Sequence, residues 1–109
     1  MSRAGDHVDA FNQAVTTGDW DTFATRFAAD ASMSFADVPV GPFHGRAAIA
    51  AAYRQDPPTD TMSLLDVQED CGATVARFRW SSGGTGTMEL TWAPDGTVRT
   101  LIVSFDRSV

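Results

Sequence analysis

The chain has 109 residues, 43% hydrophobic and 20% charged, which suits one globular domain over residues 1–109 that hides roughly two-thirds of its unfolded surface. Its net charge of −6 opposes a phosphate backbone, and its eight basic residues are scattered arginines without a clustered stripe, so nucleic acid is excluded as the expected partner. No apolar run reaches the roughly 18 residues of a membrane span and Met1 to Asp6 lacks the apolar core of a secretory signal, so a cytoplasmic protein with no membrane partner is expected.

Over residues 6–17, Val8, Phe11 and Val15 recur at spacings of three and four beside Ala10 and Ala14, which predicts an amphipathic helix. Gly18 stops it, because glycine takes the left-handed conformation past a helix end. Asp19 can then cap a second helix bearing Trp20, Phe23, Ala24 and Phe27. Residues 31–37 read as a strand with Met33, Phe35 and Asp37 on one face and Ser32, Ser34 and Ala36 on the other. A carboxylate closing an apolar row is a candidate general base, since withdrawal from water brings its pKa nearer to neutrality. The alternative for Asp37 is a turn former before Pro39 that accepts backbone N–H bonds in solvent.

Pro39, Gly41, Pro42 and Gly45 mark a loop, and residues 46–54 an alanine-rich helix that Pro57-Pro58 ends. Tyr53, the one tyrosine, closes that helix either as a core aromatic or as a hydroxyl donor to a ligand. Residues 61–68, 73–81, 86–93 and 97–105 then read as consecutive antiparallel strands, separated by turn signals at 70–72, 82–84 and 94–96. Their inward rows are Ala76, Phe78 and Trp80, then Met88, Leu90 and Trp92, then Leu101, Val103 and Phe105. Glu89 is expected to pair with Arg77 or Arg79 on the outer face. Cys71 is single, so no intrachain disulfide forms, and Glu69 and Asp70 beside it suppress a thiolate. His7 and His44 are too far apart to make a metal set with it, and neither metal nor cofactor is expected. Helices followed by a meander make an α+β pattern, with the helices covering one face of a curved antiparallel sheet.

The element order, the Gly18-Asp19 break, the phrase Phe27-Ala-Ala-Asp-Ala31 and the Pro-Phe-x-Gly-Arg-x-x-Ile run from Pro42 to Ile49 resemble the nuclear transport factor 2-like superfamily. Within it they are most similar to the ketosteroid isomerase and SnoaL-like polyketide cyclase branch. The resemblance spans nearly the whole chain and implies a cone-shaped sheet enclosing a pocket, and a homodimer through the outer face with Val75, Thr87, Thr91, Thr100 and Ile102. It matches Asp37 to the proton-shuttling aspartate of the isomerases and Tyr53 to a pocket tyrosine. It also matches Phe11 and Met88 to the two positions where those enzymes carry oxyanion donors, and neither has a donor to offer.

The expectation is therefore a pocket protein for a small hydrophobic molecule, with Phe11, Val15, Phe35, Phe78, Trp80, Met88, Trp92 and Val103 as lining residues. In the first reading it is a cofactor-independent isomerase, cyclase or dehydratase with Asp37 as base on a carbonyl-type substrate and Tyr53 as oxygen donor. In the second it binds its ligand without turnover. In the third it opens epoxides, by resemblance to the limonene epoxide hydrolase branch, which sets two aspartates around an arginine; here Arg77 and Arg79 have no inward-facing aspartate partner.

Overall fold

A computed structural model describes residues 3–36, 41–70 and 72–106 of the chain. Among the described residues three helices, α1 (Arg3–Thr17), α2 (Trp20–Ala24) and α3 (Arg46–Gln55), accompany six strands: β1 (Phe27–Phe35), β2 (Phe43–His44), β3 (Met62–Asp70), β4 (Ala73–Trp80), β5 (Thr85–Trp92) and β6 (Val98–Phe105). The strands form one curved, unclosed sheet in the order β2-β1-β6-β5-β4-β3.

Gly18 ends α1 at φ +78°, its N–H bonding the Ala14 carbonyl at 2.7 Å, and Asp19 caps α2 by accepting the Thr22 N–H at 3.2 Å. The second helix is only five residues long, and Phe27 opens β1 rather than riding on that helix as its spacing suggested. The reason is the chain turn at Thr25-Arg26: the Arg26 carbonyl accepts the Val98 N–H at 2.8 Å, drawing the following residues onto β6. Phe27 is then buried from the sheet side, against Phe23 at 5.5 Å.

The late strands pair antiparallel in sequence order, as their turn signals require. The sheet as a whole is mixed, because β1 runs parallel to β6. A parallel neighbour needs a long connection, which α3 and the intervening strands supply. The Phe43-His44 pair, read as loop, forms a short strand against Ser32 and Met33.

Inward residues Ala76, Phe78, Met88, Leu90, Leu101 and Val103 join Val8, Phe11, Phe23 and Ile49 in one core. Gly86 is required there, because a Cβ on it would stand 2.6 Å from the Phe78 ring and 2.6 Å from the Ser104 carbonyl oxygen. Asn12 ties α1 to the start of β3 with a reciprocal pair: it donates to the Met62 carbonyl and accepts the Met62 N–H, both at 2.8 Å. Glu89 faces Val75 across the ladder, not Arg77 or Arg79. Arg77 instead donates to Asp106 at 3.1 Å, and Asp106 also accepts from Thr85. No described helix is long and apolar enough to cross a membrane.

Candidate functional site

Two adjoining cavities open at the end of the sheet where β1, β4 and β6 finish and β3 begins. The inner one, about 240 Å³, takes its walls from every layer of the fold: Phe11 of α1, Phe35 of β1, Tyr53 of α3, Trp80 of β4, Met88 of β5 and Val103 of β6. Met62, Leu101 and Phe105 complete its apolar surface. The outer one, about 520 Å³, lies between β1, β2 and α3 and includes Met33, Phe43, Gln55 and the exposed Asp56. Phe35, Tyr53 and Pro58 belong to both walls.

Tyr53 is held by its rings' neighbours. It stacks on Trp20 at 4.7 Å and 4° and meets Phe23 edge-on at 5.3 Å and Phe11 at 6.5 Å. Burial raises its hydroxyl pKa well above the usual value, so at neutral pH it remains an O–H that can donate. Neither that hydroxyl nor the Trp80 indole N–H has a hydrogen-bond partner among the described residues.

Six of the residues expected to line a pocket thus meet around one space, and three lie elsewhere. Val15 packs against the core one turn beyond Phe11. Phe78 is wholly buried between Gly86 and the edge of Trp80, which it meets at 5.1 Å. Trp92 faces inward at the opposite end of β5, its indole donating to the Thr74 hydroxyl at 3.0 Å and its ring covered by the Arg3 guanidinium at 5.6 Å. Alternation had the face of Trp92 right but not its depth: four residues from Met88 along a strand is about 13 Å. Asp37 and Cys71 lie outside the described residues.

The cavity wall also contains His7, which sequence reasoning treated only as a missing metal ligand. The available signal was its position, four residues before Phe11 on the apolar side of α1. His7 is 2% exposed, and burial first, with the Arg26 charge second, lowers its pKa to about 4. His44, by contrast, is exposed on β2. Among the described residues no three of His, Cys, Asp and Glu gather as a metal site would need.

A helix layer on a curved sheet with an apolar chamber at its open end defines a pocket-bearing α+β fold, which by itself fixes no function. The chain belongs to the SnoaL-like domain family, whose model matches residues 8–103. No curated protein matches it. Among solved structures it is similar to a SnoaL-like protein of unknown function from Burkholderia thailandensis, at 16% identity over 96% of both chains and a TM-score of 0.77. It is also similar to a protein provisionally named a ketosteroid isomerase from Kribbella flavida, at 16% identity over 98% of this chain and 80% of that one, with a TM-score of 0.72. A de novo designed protein with a curved β-sheet matches as well, at 14% identity over 97% and 88% of the two chains and a TM-score of 0.70. Identities this low establish the fold, and a likeness that extends to a designed scaffold carries no reaction with it.

Proposed function

We propose that this protein binds a small, largely hydrophobic carbonyl-type molecule in its inner cavity and moves a proton on the carbon beside the carbonyl, as a cofactor-independent isomerase, cyclase or dehydratase. Asp37 is the base and Tyr53 the donor to the carbonyl oxygen. The observation that carries this reading is the chamber itself, whose aromatic, methionine and aliphatic walls are interrupted by few polar groups. Ala36, the described residue that precedes Asp37 in sequence, bonds through its N–H to the carbonyl of the cavity residue Val103 at 2.9 Å. The name given to the Kribbella flavida relative agrees with such chemistry.

Proton transfer can be tested before the natural substrate is known. In D2O, the wild-type protein should speed deuterium uptake at the carbon beside the carbonyl of 1-indanone, followed by NMR, because the base removes a proton and returns a deuteron. Asp37→Asn should lose at least about a hundredfold of that acceleration while its affinity for the ketone changes little. Equal exchange with wild type and the variant would remove Asp37 from the mechanism.

A second reading, binding without turnover, draws on one specific observation. Phe11 and Met88, the residues matched by resemblance to oxyanion-donor positions, both line the chamber and are apolar. Each missing donor typically costs about 2.7 to 4 kcal/mol of transition-state stabilisation. Tight binding of 1-indanone with no exchange above the uncatalysed rate would favour it. Epoxide opening has no such support: Arg77 and Arg79 are exposed, and among the described residues no arginine lines the inner cavity.

We also propose, on the family resemblance, that two copies associate through the outer sheet face. Val75 and Ile102 are 40% and 38% exposed there, in a single cross-strand row with Glu89 between them.

A further inference from the structure

His7 and Phe11 are one helical turn apart, so α1 carries both into the wall of the inner cavity. The imidazole packs its deep side against Phe23 at 5.3 Å and Phe27 at 5.8 Å. Its Nδ1 is sealed from solvent and has no hydrogen-bond partner among the described residues. Buried polar atoms normally have one, and an apolar side chain of similar size would pack here without the penalty. With Nδ1 shut inside the fold, Nε2 is the polar atom that the ring has left to present to the chamber.

Apolar burial keeps the ring neutral at physiological pH, so it carries one proton. On Nδ1 that proton would be an N–H without an acceptor, in the field of the Arg26 cation. A lone pair on Nδ1 is favoured by the same cation, which leaves the proton on Nε2. A neutral imidazole N–H can polarise a carbonyl without bringing a charge into an apolar site.

We propose that His7 is the polar anchor of the inner cavity, its Nε2–H donating a hydrogen bond to the carbonyl oxygen of a small uncharged ligand whose apolar body packs among Phe11, Trp80 and Met88. The proposal rests on the small-ligand reading above and names the group that recognises the ligand's oxygen. A carbonyl oxygen has two lone pairs, so Tyr53 and His7 do not exclude each other as donors.

The test uses the full chain and two probes that differ by the carbonyl oxygen, 1-indanone and indane. Tryptophan fluorescence reads their affinities, and the 15N resonances of the His7 ring read its protonation and bonding. Indane is the more hydrophobic, so the informative quantity is the ratio of the two affinities, which should shift against 1-indanone by about fivefold to tenfold in His7→Phe. In the wild-type protein, 1-indanone at saturation should move the Nε2 resonance and indane should not, a readout that does not depend on the variant folding. An unchanged ratio in His7→Phe, or an Nε2 resonance that ignores bound ketone, overturns the assignment of His7 and leaves the small-ligand reading standing. If wild-type protein binds neither probe, both fall together.

Discussion

A histidine enclosed by phenylalanine rings is stable only as long as it stays uncharged. The unfolded chain accepts a proton at His7 near the ordinary value of 6.5, whereas the folded chain does so only near 4. Between those two values the unfolded state binds more protons, so stability falls as pH drops through that window and is level below it. The full difference amounts to about 3 kcal/mol. Urea unfolding at stepped pH should therefore show a loss from about pH 6.5 to about pH 4 in the wild-type protein that His7→Phe largely abolishes. The carboxylates held low by hydrogen bonds, Asp19 with Thr22, Asp60 with Ser81 and Ser82, Asp95 with Thr97 and Asp106 with Thr85, act in a separate range. Their stabilisation is present above the ordinary carboxylate pKa and is lost as pH falls below it, which keeps the histidine's limb distinct.

At the scale of elements, local chemistry accounts for most boundaries. The Gly18-Asp19 pair separates two helices because one residue tolerates positive φ and the next caps. The four late strands lie where alternation and glycine-bearing turns put them. The spacing of Trp20, Phe23 and Phe27, three and then four, continues a helical stripe, while the pull onto β6 comes from a bond between the Arg26 carbonyl and the distant Val98 N–H. The Asn12 amide is similarly invisible to pattern reading, since its partner is the backbone of Met62. It joins the cavity-bearing face of α1 to the first residue of β3, so Asn12→Ala should cost about 1 to 3 kcal/mol. Thermal unfolding would read that as a lower Tm with two-state behaviour retained, and a Tm equal to wild type would show the amide pair to be dispensable.

Across the whole molecule, a helix layer on one face of the curved sheet leaves the other face open. On that face Val75 and Ile102 flank Glu89 in one row, so the proposed contact between copies has two apolar residues about a central charge. Light scattering after size exclusion should report a dimer for the wild type and a monomer for Val75→Asp with Ile102→Asp, the two changes placing like charges beside Glu89. A wild-type monomer at the concentrations tested would remove the face from consideration as a self-association surface. The inner cavity sits on the sheet's opposite side, so the monomeric variant should still bind 1-indanone.

Composition, periodicity and turn residues were enough to establish the α+β class, its helical hairpin, its meander and the inward side of each late strand, because these follow from interactions between residues close in sequence. With the family resemblance added they pointed to Phe11, Phe35, Tyr53, Trp80, Met88 and Val103, which six different elements bring to one chamber. Only the tertiary structure decided that β1 lies parallel to β6, that Trp92 faces inward at the wrong end, and that His7 is buried in the chamber wall. Period-two and period-3.6 patterns report which way a side chain points. Depth along a strand and the company of a buried nitrogen depend on how distant elements dock, and that is written in no short stretch of the chain.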